Sequence, residues 1–293
     1  MDYKNIVLYS DMDGTLLNSE GRMSSRNREA LQRFMDRGGL FGIATGRNQL
    51  NSVCFLEDIR MNIPCILYNG GGLYDFNKEE FIAYHELKKE RLSLFLKDCL
   101  TGHPRVMIQV FCPHMSYFIS SEAYADKKVV TLHQPCRFGR MEELTGEPWI
   151  KILLCAEHEE LAALEQKLKV YELEKDLQWV YSSEVYLELL PAGVSKGSAL
   201  DQVRKYIGQE AKIYAVGDYY NDMEMIRAAD VGIATRNAVA PLQEIADVIT
   251  VSNDEHAIAD IINRIMDHKR VRTDEAYDKK DGNPSAPDEG TGE

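Results

Sequence analysis

The amino-acid sequence predicts an α/β protein: a Rossmann-like, doubly wound parallel-sheet core interrupted by an inserted α+β module. Three observations lead there. Short apolar runs without polar alternation, such as Ile6-Val7-Leu8-Tyr9 in "NIVLYS", read as strands covered on both faces, as parallel strands are. Such runs alternate with helical patterns in residues 1–79 and again from residue 186 onward. Between them, several strands follow one another directly, which a strictly alternating pattern does not produce.

The elements follow in order. After "NIVLYS", the stretch "SSRNREALQRFMDRGG" is helical, with Leu31, Phe34 and Met35 on one face and Gly38-Gly39 as its stop. "GLFGIATG" and "PCILYNGGG" are two further buried strands, each running into a glycine turn. In the middle section "HELKKERLSLFLKDCL" reads as a helix, and "RVMIQVFCP", "MSYFIS", "WIKILLCA" and "VYLELLP" as strands. "EHEELAALEQKLKVYE" is an amphipathic helix striped by Leu161, Leu164 and Leu168. After "GVSKGSALDQVRKYIG" the first rhythm returns: strands "KIYAVGD", "VGIAT" and "DVITVS", separated by helices "DMEMIRAA" and "AVAPLQEIA". Residues 1–79 and 186–268 are therefore expected to form one core and 80–185 the insertion. Residues 269–293, rich in Asp, Lys, Gly and Pro without periodicity, are expected to be a disordered tail.

Composition narrows the function classes. A chain of 293 residues exceeds one ordinary compact unit, in keeping with two domains. Hydrophobic residues at 44% and charged residues at 28% describe a soluble globular protein. The net charge of -13, from 34 basic and 47 acidic residues, disfavours nucleic acid or an anionic membrane as partner, since both reward positive charge. A local basic pocket for a small anion stays compatible with it. The six cysteines form no C-x-x-C pair and no His lies at zinc-finger spacing. They read as reduced thiols, with Cys65 and Cys155 in the core. The N-terminus lacks a leader pattern and no apolar run reaches membrane-spanning length, so a cytoplasmic location is expected.

Four stretches put polar residues immediately after an apolar strand, where open parallel sheets form their ligand crevice. The first is Asp11-Met12-Asp13-Gly14-Thr15; alone, such a cluster is an ordinary turn. It is not a calcium loop, because the required Gly and Glu positions hold Leu16 and Arg22. The second is Thr45-Gly46-Arg47, whose hydroxyl and backbone N–H groups suit a phosphate oxygen. The third is Lys196 at a helix start, outside any Walker pattern. The fourth is Gly217-Asp218, with Asn221 and Asp222 behind it; one of these caps the next helix, and capping does not account for all three. Asp11, Asp13, Asp218 and Asp222 in one crevice repel one another unless a cation joins them. Few carboxylates with a phosphate favour magnesium. Lys196 offsets another charge and holds the phosphate. One carboxylate can then attack phosphorus while another protonates the leaving oxygen.

"DMDGTLL", "ATGR", "GVSKG" and "GDYYNDMEM", in this order, resemble the four motifs of the haloacid dehalogenase superfamily, and more narrowly its Cof-type phosphatases with a large α/β cap. "YNGGGLYD", "VYLELLPAGVSKGSAL" and "ADVITVSNDEHAIADII" extend the resemblance over roughly residues 5–265. It implies that Asp11 is a nucleophile forming an aspartyl-phosphate, and that Asp13 is the general acid and then the base that activates water. It implies further that Thr45, Gly46, Lys196 and Asn221 hold the phosphoryl group and that Arg47 contacts phosphate or substrate. Magnesium would be bound by Asp11, the Asp13 carbonyl and Asp218, with Asp222 supporting from behind. Two positions depart from the pattern: Tyr219 stands where a small residue is usual, and His256 where Gly is common. His256 is expected to be a surface or packing residue. Near the cap, Tyr74, His114, Tyr117 and Tyr186 are candidates for the site entrance. The expected substrate is a small phosphorylated metabolite: a sugar phosphate, nucleotide, flavin mononucleotide or pyridoxal phosphate. A phosphomutase or phosphotransferase on the same scaffold, or a non-catalytic phosphometabolite-binding regulator, are the alternatives.

Overall fold

The computed structural model describes residues 3–56, 59–132, 135–208 and 210–266. The strands β1 (Ile6–Ser10), β2 (Leu40–Ile43) and β3 (Cys65–Leu67) are joined through helices α1 (Ser25–Asp36) and α2 (Gln49–Val53). A hairpin of β4 (Gly72–Asp75) and β5 (Glu80–Tyr84) follows. The middle of the chain forms α3 (Lys89–Gly102), β6 (Met107–Phe111), β7 (Ser116–Phe118), α4 (Lys127–Leu132), β8 (Cys136–Phe138), β9 (Lys151–Cys155), α5 (His158–Val170), β10 (Leu177–Ser183) and β11 (Tyr186–Pro191). The chain then builds α6 (Lys196–Ile207), β12 (Lys212–Gly217), α7 (Met223–Ala228), β13 (Val231–Ala234), α8 (Ala240–Ile245), β14 (Val248–Ile249) and α9 (Ala257–Met266).

The core sheet runs β14-β13-β12-β1-β2, all parallel, and a bridge from Ala44 to Ile66 attaches β3 beyond β2. Side-chain alternation divides its contacts between two layers. Leu8, Tyr214 and Val216 face Leu31 and Phe34 of α1 and Ile258, Ile261 and Ile262 of α9. Val7, Tyr9, Ile213 and Ala215 face Leu200 and Val203 of α6, Met225 of α7 and Leu242 of α8. The α/β core is therefore wound on both faces, as its continuous apolar strands require. Strand order reverses between β1 and β12: one connection leaves toward β2, the other toward β13. Such a switch point opens a crevice at the carboxyl ends of its two strands. Asp11 follows β1 and Asp218 follows β12.

The second large sheet runs β10-β11-β9-β6-β7-β8 and is antiparallel except for β7–β8. One face carries a separate apolar cluster with Phe95 and Leu96 of α3 and the Leu161, Leu164 and Leu168 stripe of α5. Its other face meets the core, where Phe111, Ile150 and Leu153 pack with Tyr68. The reading that returned residue 186 to the core needs correction in this respect: Tyr186–Pro191 hydrogen-bonds between β9 and β10 inside the inserted sheet. "VYLELLP" is apolar enough for either sheet, and only its partners decide. β8 and β10 were not legible as strands. Beyond its first residue, Leu177, β10 is only half-buried, so it lacks a continuous apolar run. The tail read at 269–293 lies outside the described residues. No described helix is long and apolar enough to cross a membrane.

Candidate active site

The loop after β1 is built by its own backbone. Asp11 N–H donates to Val216 O at 2.9 Å, extending the sheet one residue, and Leu17 N–H closes a turn onto Met12 O at 2.8 Å. Gly14 takes the left-handed conformation (φ +78°), and a Cβ there would collide with the Asp218 carboxylate. Thr15 Oγ1 donates to Asp218 Oδ1 at 2.6 Å, tying the first loop to the fourth.

Asp11 is 6% exposed and Lys196 is fully buried. Lys196 Nζ lies 2.7 Å from both Asp11 Oδ1 and Asp222 Oδ1. Helix α6 starts at Lys196, capped by Ser195 Oγ, which accepts from Ser198 N–H at 3.1 Å. Asp222 stands at the N-cap position of α7, yet its carboxylate turns back: Oδ2 accepts from Asp218 N–H at 3.0 Å and Tyr219 N–H at 3.1 Å. Both Asp222 oxygens are thus engaged within the protein. Among the described residues no hydrogen bond engages Asp11 Oδ2 or Asp218 Oδ2. Carboxylate oxygens of Asp11, Asp218 and Asp222 lie within 4.8 Å of one another. Burial, with the neighbouring acids adding, raises Asp11 well above the usual carboxyl range, against the pull of Lys196. Burial first and then Asp222 push Asp218 up to about 7. Lys196 is raised because Asp11 and Asp222 outweigh the effect of its burial. Hard oxygen donors with one lysine among three acids fit a divalent cation, which would relieve this repulsion.

Above this layer opens a cleft of about 550 Å³ lined by Asp11, Asp13, Thr45, Gly46, Arg47, Asp218, Tyr219 and Asn221, and roofed by residues of β6, β9, β10 and β11. Thr45 Oγ1 accepts from Arg47 N–H at 3.1 Å, which leaves the hydroxyl hydrogen available to a ligand. Arg47 holds Asp13 with two contacts, Nε to Oδ2 at 2.7 Å and Nη2 to Oδ1 at 2.6 Å, while its guanidinium stacks 4.0 Å from the Phe55 ring centroid. Asn221 Nδ2 donates to Asn69 Oδ1 at 3.0 Å. The nine residues to which the resemblance gives site roles therefore converge. Lys196 and Asp222 sit beneath Asp11 rather than on the cleft wall.

Of the aromatic candidates, Tyr186 lines this cleft. Tyr74 and His114 line a separate cavity of about 470 Å³, and Tyr117 packs against the apolar cluster of the inserted sheet. Tyr219 sits on the cleft wall, half-buried against the Tyr220 ring. His256 lies outside the cleft in a left-handed turn (φ +69°), with Nδ1 2.9 Å from Ser24 Oγ. That backbone conformation accounts for a glycine preference at the position.

Sequence reasoning missed Lys151 of β9 and Glu188 of β11. They form an ion pair at 2.8 Å, with side chains 3% and 5% exposed, on the cleft wall. Burial lowers Lys151 from the ordinary lysine range against the pull of Glu188. The signal was a lone charge inside each of two apolar runs, "WIKILLCA" and "VYLELLP", of opposite sign.

A switch-point crevice carrying buried acids, one lysine and a strand-end threonine suits phosphoryl-transfer chemistry on a doubly wound α/β scaffold. A family model of haloacid dehalogenase-like hydrolases matches residues 8–262, and the chain belongs to that family. It is 30% identical over 281 residues to a 5-amino-6-(5-phospho-D-ribitylamino)uracil phosphatase of Bacillus subtilis, covering 87% of this chain and 96% of that protein. A second Bacillus subtilis phosphatase of the same name is 28% identical, covering 89% and 95%. The crystal structure of a haloacid dehalogenase-like hydrolase from Bacteroides thetaiotaomicron matches with a TM-score of 0.78 at 30% identity, covering 89% of this chain and 100% of that one. The protein is a phosphatase of this family.

Proposed function

We propose that the protein is a magnesium-dependent phosphatase of small phosphorylated metabolites that works through an aspartyl-phosphate on Asp11. The carrying observation is the Asp11 carboxylate at the cleft floor, 6% exposed and fixed through Oδ1 by Lys196. Asp11 would attack phosphorus as the ester P–O bond breaks, and Asp13 would give its proton to the leaving oxygen. Water, losing a proton to Asp13, would then attack the acyl phosphate, releasing inorganic phosphate and regenerating Asp11. Thr45, Gly46 and Asn221 would bind the phosphoryl oxygens from the cleft wall. Lys196 would orient Asp11 from beneath, and Arg47 would hold Asp13 before substrate arrives. Asp11, the Asp13 carbonyl and Asp218 would hold magnesium, with Asp222 bracing the Asp218 loop; when bound, such an ion would neutralise charge on the phosphoryl oxygens.

Two phosphatases among the relatives carry a phosphorylated ribityl group, a polyol, in the names of their substrates. The roof of the cleft offers Ser183, Glu184 and Tyr186, donors and acceptors suited to hydroxyl groups. Polyol and sugar phosphates are therefore the first class to assay, ahead of nucleotides, flavin mononucleotide and pyridoxal phosphate. The test is magnesium-dependent phosphate release from an aryl phosphate and a metabolite panel, with Asp11→Asn as control. Release should be lost in the variant while its thermal melt is kept. Near-normal release by Asp11→Asn would remove Asp11 as nucleophile, and transfer of phosphate to an added sugar phosphate would favour the mutase alternative.

A further inference from the structure

The inserted sheet does more than roof the cleft; two of its strands reach into the loops that line the floor. Lys151 Nζ donates to the Gly46 carbonyl and pairs with Glu188 Oε2 at 2.8 Å. Glu188 Oε2 also accepts from Asn69 Nδ2 at 2.7 Å, and Oε1 accepts from Ser182 Oγ at 2.6 Å. Asn69 is a hub. Its N–H donates to Thr45 O at 3.0 Å, and its Oδ1 accepts from Asn221 Nδ2 at 3.0 Å. One continuous network thus joins β9, β10 and β11 to the loops after β2, β3 and β12. Its three core ends, the Thr45 and Gly46 carbonyls and the Asn221 amide, belong to the residues read as touching the phosphoryl oxygens.

Two costs are met to keep it. A buried ion pair loses the hydration of both charges, and apolar residues of similar volume often serve stability as well. Tyr68 and Asn69 both hold left-handed backbone (φ +53° and +54°), uncommon for residues other than glycine. The loop is packed so closely that a Cβ on Gly46 would sit 3.1 Å from Asn69 Nδ2 and 3.2 Å from Glu188 Oε1. Charge, strain and close approach meet at one point, where the inserted sheet contacts the Thr45-Gly46 loop.

We propose that Lys151 and Glu188 are positioning residues: acting through Gly46 and Asn69, they set the phosphate-binding loops of the core from the inserted sheet. This rests on the reading of Thr45, Gly46 and Asn221 as phosphate-binding. It separates two jobs of the inserted sheet. Ser183, Glu184 and Tyr186 face the leaving group, whereas Lys151 and Glu188 serve the phosphoryl end, whichever leaving group is present.

The test uses the full chain with Lys151→Met, Glu188→Gln and the exchanged pair Lys151→Glu with Glu188→Lys. Phosphate release is measured on an aryl phosphate and a sugar phosphate, with inhibition by inorganic phosphate and thermal melting. Each single variant should lose kcat/KM on the order of 10²-fold on both substrates by the same factor, since displacement of a positioned group by an ångström costs about that much. Inhibition by inorganic phosphate should weaken alongside. The exchanged pair should recover melting but not activity, because a carboxylate at position 151 cannot donate to Gly46 O and an ammonium at 188 cannot accept from Asn69 and Ser182. Recovery of activity by the exchanged pair would make the pair merely structural and overturn the proposal, as would losses confined to one leaving group. Should the exchanged pair not fold, Glu188→Gln decides: unchanged kcat/KM and phosphate inhibition overturn it. If the wild-type chain releases no phosphate from any substrate, the phosphatase reading fails by itself. Calorimetric binding of inorganic phosphate in wild type and Glu188→Gln then reads the positioning directly, equal affinities overturning it.

Discussion

Replacing Lys196 with methionine keeps the volume of the side chain and removes its charge. In the native protein Nζ sits 2.7 Å from Asp11 Oδ1 and 2.7 Å from Asp222 Oδ1, with the side chain fully buried. At an effective dielectric near 20 each contact is a gross attraction of about 6 kcal/mol, opposed by a desolvation cost of similar size. The informative quantity is what the variant leaves behind: two buried carboxylates without their cation, a loss of about 3–5 kcal/mol. At about 2–4 °C per kcal/mol for chains approaching this size, Lys196→Met should melt roughly 6–20 °C lower near neutral pH. The native Lys196 is raised above the ordinary lysine range, so its contribution is fully present at neutral pH and is lost only in strongly alkaline solution. In the variant Asp11 sets the pH response: the deficit should shrink as the pH falls and its carboxylate, already raised by burial, takes up a proton. Magnesium should recover part of it at pH 7 by replacing the lost positive charge. Phosphate release should fall in parallel, because Asp11 loses the contact that orients it. Melting curves at pH 5 to 8 with and without magnesium, alongside phosphate release, test this. A variant that melts within a degree of wild type across that range and keeps its activity refutes the electrostatic account of the cluster.

Three further outcomes follow from the same geometry. With divalent cations chelated, the native protein should lose stability between about pH 4 and pH 7: Asp218 is pushed from 3.8 up to about 7, so the folded state binds the proton more tightly and is penalised as it leaves. Magnesium should flatten that slope, and a melting temperature that rises over this interval in chelator would contradict the sign. Gly14→Ala should cost about 1–2 kcal/mol for the left-handed backbone and also displace Asp218, raising the magnesium concentration needed for half-maximal activity; an unchanged titration counts against Asp218 as a cation ligand. The Arg47–Asp13 pair should contribute less than about 1 kcal/mol to stability, because the Asp13 side chain is 57% exposed, yet Arg47→Ala should lower kcat/KM by about tenfold or more through a loosely held general acid. Equal activity in that variant would detach Arg47 from Asp13's role.

Features set by short-range pattern were legible in the sequence, and those set by long-range pairing were not. The core strands were legible because parallel strands buried on both faces must be apolar throughout, and "NIVLYS", "KIYAVGD" and "VGIAT" each are. β10 was not, since a half-buried strand carries no such signature. The carboxylates stood out as a set: each cluster alone reads as a turn or a helix cap, whereas four polar clusters at the ends of core strands share one crevice. Lys151 and Glu188 escaped notice because each looks like an isolated charge until the sheet pairs β9 with β11 and sets them side by side.

What the sequence determined by itself was local and periodic: strand interiors, helix faces, and the Asp, Thr and Lys residues that close the core strands and open α6. Hydrophobic pattern and turn chemistry are written residue by residue, so they can be read that way. Tertiary structure alone decided which groups meet. It joined Asp11 to Lys196 across 185 positions and Asn69 to Glu188 across 119, and it assigned Tyr186–Pro191 to the inserted sheet rather than the core. It also turned Asp222 from a helix cap into a brace for the loop of Asp218, since a carboxylate's partners depend on which donors the fold brings within reach.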